Sequence, residues 1–231
     1  ELLAKAVVVR SPRPEFRLLE TLRLHDGTLV RLDRHLARLR GSAEHFGFPL
    51  LDDAVRAALD GIRHTRPDGT HRVRLLVDDA GSVEAEATEE AGEMGLDGPG
   101  SGAPRSRRPV MLARSRVDPR DRFLYHKTTH REIHDRARAE APDLWDVLLV
   151  NERDELTEFT SGNLVIERDG SLLTPPLDAG LLPGCLRGEL LDAGTIVEEK
   201  LTAGDLDRAS RVWFINSLRG WIEVRVDLRT P

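Results

Sequence analysis

The chain of 231 residues has a single cysteine, Cys185, so it can build neither an internal disulfide framework nor a paired-cysteine metal site, and no metal is expected. No apolar run approaches the roughly 18 residues that a membrane span needs. The opening ELLAKAVVVRSPRP lacks the basic-then-apolar layout of a secretion leader. There is no surplus of positive charge either. Lys and Arg number 34 against 40 Asp and Glu, a formal net charge of −6, and the arginines are interleaved with acids as on solvated helix faces. A basic face for nucleic acid is therefore not expected. No internal repeat is visible. Lysine is scarce: between Lys5 and Lys200 the only one is Lys127. What remains is a cytoplasmic, globular protein with neither membrane nor nucleic acid as a partner.

The length suffices for one large domain or two small ones with a buried core. In EFRLLETLRLHDGTLVRL (15–32), two apolar runs flank His25-Asp26-Gly27, a hairpin signal. Leu36, Leu39, Ala43 and Phe46 then recur at helical spacing over 33–48, with Asp33 as N-cap, and 52–64 repeats the pattern. HRVRLLVD and SVEAEAT read as a strand pair around Asp79-Ala80-Gly81. The segment 89–109 is rich in Gly, Pro, Ser and charge and has little to bury, so it reads as a flexible surface loop or a lid over a site. Beyond it lie a strand at 110–117, a helix at 129–141 closed by Pro142, a buried strand at 145–150, a hairpin on Asp169-Gly170, a helix at 184–194 and two late strands. The expectation is an α+β fold, with a small α+β domain over 1–114 and a larger domain over 115–231.

Four segments carry possible chemistry, and each has a plain alternative. FLYHKTTHR (123–131) sets Lys127 among rings, hydroxyls and imidazoles, which is either chance on a solvated loop or a reactive amine in a pocket. LLPGCLRGELL (181–191) runs a Pro-Gly turn straight into a helix. The free N–H groups there suit a phosphate, and Gly184 allows close approach, although an ordinary strand-to-helix turn looks the same. Glu158 in ELTEFTSGNLVI and the Asn216-Ser217 pair in FINSLRGWIEV are either turn-related polar residues or site groups.

Taken together and in this order, the segments resemble the fold-type IV pyridoxal-phosphate enzymes, the class IV aminotransferase family, from about Phe16 to Val224. HKTTHR resembles the family's lysine segment, LTEFTSGNL its cofactor-nitrogen segment, LLPGCLRGELL its phosphate helix, and RLDRHLARLRGSA its early helix. The resemblance implies a small N-terminal α/β domain, a larger C-terminal pseudo-barrel domain, and pyridoxal 5'-phosphate as cofactor. It implies Lys127 as the catalytic, cofactor-bearing lysine and Glu158 as partner of the cofactor's ring nitrogen. Gly184, the Cys185 and Leu186 N–H groups, Ser217 and Arg38 would hold the phosphate, with Arg131, Asn163 and Arg219 toward the substrate. A carbonyl-reactive amine must be partly neutral, which a desolvated pocket provides, and an acidic partner keeps a pyridine nitrogen protonated.

Within the family, FRLLETLRLHDG, LYHKTTHR and FINSLRGW look most like aminodeoxychorismate lyase, of the form fused behind the synthase component that makes its substrate. That likeness implies a folate-precursor enzyme and a homodimer. A branched-chain or D-amino-acid aminotransferase is the enzymatic alternative, and a non-catalytic homologue serving as a scaffold is the other, although a scaffold needs neither Lys127 nor Glu158. Two features depart from the family pattern: the strand pair usually found ahead of FRLLET is absent or much altered, and AEATEEAGEMGLDGPGSG matches no family motif.

Overall fold

Asp26 and Gly27 both take positive φ, 45° and 72°, and fold β1 (Leu18–His25) onto β2 (Thr28–Leu29). The computed structural model that shows this describes residues 15–90, 95, 98–99 and 107–227. β3 (Thr70–Val77) pairs antiparallel along the whole of β1, and β4 (Val83–Glu89) pairs with β3, giving a four-stranded sheet of order β2-β1-β3-β4. Alternation splits β1 cleanly. Leu18, Leu22 and Leu24 point into a core closed by Leu36, Leu39 and Ala43 of α1 (Leu32–Phe46) and by Val55 and Leu59 of α2 (Asp52–Thr65). Leu19 and Thr21, on the opposite phase, look into a cavity.

The expected N-cap is corrected. α1 starts from Arg31, in the left-handed region at φ 58°, and Asp33 sits inside the first turn. The Val30 N–H donates to Arg23 O, so the chain leaves a two-residue strand through a tight turn and enters the helix without a side-chain cap.

The second sheet has the order β10-β9-β8-β11-β12-β5-β6-β7, and β7 also pairs with β8. Six strands thus close into a barrel: β5 (Arg108–Val117), β6 (Asp146–Asn151), β7 (Leu156–Phe159), β8 (Gly162–Arg168), β11 (Arg211–Asn216) and β12 (Gly220–Asp227). β9 (Ser171–Thr174) and β10 (Val197–Glu198) extend the sheet beyond β8. Val110, Leu148, Phe159, Leu164, Ile166, Phe214 and Ile222 belong to one packed core, so side chains rather than solvent fill the ring. Closure depends on Gly162, because a Cβ there would run into the Phe214 ring and the Ile215 carbonyl.

α3 (Glu132–Ala139) begins three residues later than expected, since Thr128 and Thr129 are tied to the lead-in of β1. The Thr129 N–H donates to Arg17 O, and the Arg17 N–H donates to Thr129 Oγ1. α4 (Cys185–Asp192) follows its expected Pro-Gly entry, whereas the capping box of Thr202 and Asp205 starts α5 (Ala203–Arg208), a helix too short to show a period in the sequence. The architecture is the expected α+β fold with a small α/β layer and a larger barrel. The expected division at 114 falls inside β5, whose partners β6 and β12 both lie in the larger sheet. Most of the expected loop at 89–109 lies outside the described residues. Within it, Gly95 bridges to Gly220. No helix among the described residues is long and apolar enough to cross a membrane.

Candidate active site

A cavity of about 560 Å³ lies between the small sheet and the barrel, and nearly every segment singled out in the sequence meets there. Its floor is the segment carrying Lys127. Asp121 caps the short 3-10 turn of Arg122–Leu124 by accepting from the Phe123 N–H at 2.8 Å. The Leu19 N–H then clamps Lys127 O at 2.9 Å, so β1 fixes the backbone of the lysine. Burial lowers the Lys127 amine from 10.5 to about 8, and the cations of Arg38 and Arg131 push the same way. Phe123, His126, Thr128 and His130 line the cavity around it. Tyr125 and Thr129, read with them as pocket wall, do not. Tyr125 packs its ring against the Met111, Val117 and Ala137 cluster and donates its hydroxyl to Pro119 O, while Thr129 serves Arg17.

Glu158, near the end of β7, is 3% exposed. Its Oε1 is 3.3 Å from His134 Nε2, and its Oε2 accepts from Asn163 Nδ2 at 3.3 Å. Asn163 lines the cavity, as expected of a substrate contact, yet its amide is directed elsewhere, donating also to Leu182 O at 2.9 Å. It thereby ties Glu158 to the chain entering α4.

That entry is the end of the cavity able to receive an anion. No side chain caps α4, so its first N–H groups stay available for an acceptor. A Cβ on Gly184 would collide with Asn163 Oδ1. Gly184→Ala should therefore displace Asn163 and cost about 1–3 kcal/mol, read as a lower Tm of the cofactor-free protein; an unchanged Tm would show that Asn163 moves freely. Cys185 lines the cavity as a thiol that burial pushes up to about 11. Leu186, expected beside Cys185, is not among the residues lining the cavity, and its side chain packs with Val165, Ile196 and Trp213. Asn216 closes the turn after β11: its Oδ1 accepts from the Arg219 N–H at 2.7 Å and its Nδ2 donates to Ser161 O at 3.1 Å. The neighbouring Ser217 is left facing the cavity.

Arg38 reaches the same end from α1. It grips Glu20 through Nε at 2.8 Å and Nη2 at 2.6 Å, and donates from Nη1 to Pro183 O at 3.1 Å. Burial alone would raise the Glu20 carboxyl, but Arg38 and His35 outweigh it and hold it at about 2. Burial likewise works against the Arg38 charge, and Glu20 outweighs it, raising the guanidinium above its ordinary value.

Arg131, donating to Thr160 O at 2.6 Å, and Arg219 line the cavity as expected. They are joined by Arg72 and Arg74 from the far face of β3. Sequence reasoning missed Glu20, His35, His134, Arg72 and Arg74. A signal existed for the first two: Glu20 shares the inward phase of β1 with Leu18, Leu22 and Leu24, and His35 stands one turn from Leu39 on the inward stripe of α1.

Residues 17–226 match the family described as Amino-transferase class IV. The chain is 28% identical over 221 residues to a Schizosaccharomyces pombe protein provisionally named an aminodeoxychorismate lyase, covering 89% of this chain and 87% of that one. Among solved structures, a Mesorhizobium loti protein provisionally named an amino-acid aminotransferase is similar with a TM-score of 0.83 and 37% identity, over 92% of this chain and 100% of that one. The 4-amino-4-deoxychorismate lyase of Pseudomonas aeruginosa is similar with a TM-score of 0.72 and 26% identity, over 93% of this chain and 84% of that one.

Proposed function

The chain belongs to the class IV aminotransferases, a pyridoxal-phosphate-dependent enzyme family, and from that premise we propose that it is a 4-amino-4-deoxychorismate lyase, yielding 4-aminobenzoate and pyruvate. The observation that carries the reading is the cationic lining of the cavity. Arg72, Arg74, Arg131 and Arg219 line the same cavity as Lys127; Glu86 lies 3.6 Å from Arg74, Glu90 3.7 Å from Arg219 and Asp135 4.0 Å from Arg131, distances that leave each guanidinium donors to spare for a ligand. A substrate bearing two carboxylates suits such a wall, and an aliphatic amino acid does not need it.

The donor set fits pyridoxal phosphate. A partly neutral lysine, a buried carboxylate, an uncapped helix start, a hydroxyl and a guanidinium converge on one cavity, which is the chemistry that an aldehyde, a ring nitrogen and a phosphate require. In this reading Lys127 carries the cofactor and Glu158 keeps its ring nitrogen protonated. Ser217, Arg38 and the Cys185 and Leu186 N–H groups hold the phosphate. When bound, the cofactor supplies an electron sink for charge developing on the substrate carbon. Lys127 Nζ, freed once the substrate amine has displaced it, removes the hydrogen from the carbon bearing the amino group. The enolpyruvyl C–O bond breaks, the ring becomes aromatic, and the enol takes a proton to become pyruvate. Arg131 and Arg219 orient the two carboxylates so that the C–H bond faces the lysine.

Two working units, divided ahead of Arg108, belong to the same reading, as do a homodimer, a cytoplasmic setting, a place in folate-precursor supply and association with the aminodeoxychorismate synthase component. A transaminase reading is favoured by the likeness to the Mesorhizobium loti protein. One experiment separates the two. With aminodeoxychorismate alone, lyase chemistry releases one pyruvate per 4-aminobenzoate and the cofactor is regenerated in each cycle. Turnover that waits for 2-oxoglutarate or pyruvate, with an amino group transferred to it, makes the protein a transaminase.

A further inference from the structure

Beneath the anion end, Glu20, His35 and Ser217 form a buried chain, and His35, its middle member, has no role above. Glu20 Oε2 lies 2.7 Å from His35 Nδ1, and His35 Nε2 lies 2.9 Å from Ser217 Oγ. Glu20 and His35 are each 1% exposed and Ser217 is 7% exposed, so water cannot freely substitute for any of these partners. The chain leaves little choice in where hydrogens sit. Glu20 is ionised beneath the Arg38 fork and only accepts, so His35 Nδ1 carries a hydrogen. If the ring is neutral, Nε2 is a bare acceptor and the single hydroxyl hydrogen of Ser217 points at it. An anion in the cavity would then meet only the lone pairs of Ser217. For Ser217 to donate to that anion its hydrogen must turn away, and two lone pairs would face each other across 2.9 Å.

We propose that His35 is the positioning residue of the anion end and acts as a proton-coupled latch: as Ser217 turns its hydroxyl hydrogen to a bound phosphate group, His35 takes one proton from solvent at Nε2 and donates it back to Ser217 Oγ. The inference rests on the assignment of Ser217 and Arg38 to the cofactor phosphate. No bond between heavy atoms changes: one N–H bond forms at His35 Nε2, and a buffer acid gives up the proton. Glu20 serves both halves of the latch, fixing the ring through Nδ1 and the Arg38 fork through Nε and Nη2.

The groups facing His35 set the direction of its pH dependence. Burial lowers its pKa; Glu20 of β1 raises it, while Arg38 on the same helix and Lys127 from the loop lower it further. Cys185 of α4 also lies close by but stays a neutral thiol below about 11. The empty site therefore holds a neutral ring at neutral pH, and a dianion at Ser217 adds the charge that favours the imidazolium. Affinity for a phosphate-bearing ligand should fall as pH rises above neutrality, by up to about tenfold per pH unit.

His35→Gln tests the latch, because its amide can donate to Ser217 Oγ but takes up no proton. Calorimetry of pyridoxal phosphate binding at pH 7.5, in two buffers of different ionisation enthalpy, counts the protons. The wild type should take up at least about half a proton more per bound cofactor than His35→Gln, and the two should agree when pyridoxal, which lacks the phosphate, is the ligand. Equal counts with pyridoxal phosphate overturn the latch. The wild type alone supplies a second reading: its preference for pyridoxal phosphate over pyridoxal should decline between pH 7 and pH 9, and a flat preference overturns the latch equally. If Ser217→Ala and Arg38→Ala leave that preference untouched, the phosphate assignment itself falls and takes the latch with it.

Discussion

Lys127→Ala is expected to remove turnover by at least about ten-thousand-fold while the protein still folds. The amine is unusual because of where the fold puts it. Burial, then Arg38 and Arg131, bring it to about 8. At pH 7.5 roughly a quarter of the population is neutral, against about one in a thousand for an ordinary lysine. Borohydride reduction in the presence of pyridoxal phosphate should fix the label on the peptide containing Lys127. Label on Lys200, which instead pairs with Glu155 at 3.1 Å, would sink the assignment. Stability should move the other way from activity. Folding disfavours the charged amine, so the cost is fully present below the folded value of about 8. It shrinks as pH rises toward the ordinary value of 10.5, where the unfolded chain also loses its proton. Lys127→Ala should thus raise the Tm of the cofactor-free protein near pH 7, with the gain fading by pH 10; a lower Tm at pH 7 would show that the lysine contributes packing.

Glu158→Gln is expected to keep the fold and cut the rate about a hundredfold or more. Glutamine matches the shape of the side chain but removes the charge that keeps a ring nitrogen protonated. The surroundings of Glu158 make the substitution clean. The carboxylate is 3% exposed and meets His134 at Oε1 and Asn163 at Oε2; a glutamine keeps its oxygen toward Asn163 Nδ2 and turns its NH2 toward His134 Nε2, which accepts in its other tautomer. Steady-state rates with saturating cofactor are the measurement. A rate within a few-fold of wild type would place Glu158 outside the chemistry.

Local features were legible in the sequence because their signals fit within one or two turns of chain. The Asp26-Gly27 and Asp169-Gly170 hairpins, the inward stripe of α1, the Pro-Gly entry to α4 and the lone central lysine all follow from short-range backbone and side-chain preferences. The order of the lysine, carboxylate, helix-start and strand-end segments along the chain was enough to suggest the family. The start of α1 was misread because Arg31 in the left-handed region, a consequence of the tight turn after β2, took the place of the expected Asp33 cap. α5 went unseen because six residues show no period.

Only the tertiary structure decided what those features do together. Ser217 and His35 are 182 positions apart and Lys127 is clamped by Leu19, contacts that no local propensity encodes. The tight β7–β8 hairpin sets Glu158 beside Asn163, but only the tertiary fold brings Leu182 and the entry to α4 onto the Asn163 amide. The far face of β3, which in sequence is only an alternation of arginines with apolar residues, becomes the cationic wall because the helices take the other face. The sequence by itself determined which residues can carry charge, turn a corner or fill a core. Which of them share a desolvated space, and therefore which amine is partly neutral and which carboxylate stays ionised, was set by long-range packing, since burial and neighbouring charge exist only once the chain is folded.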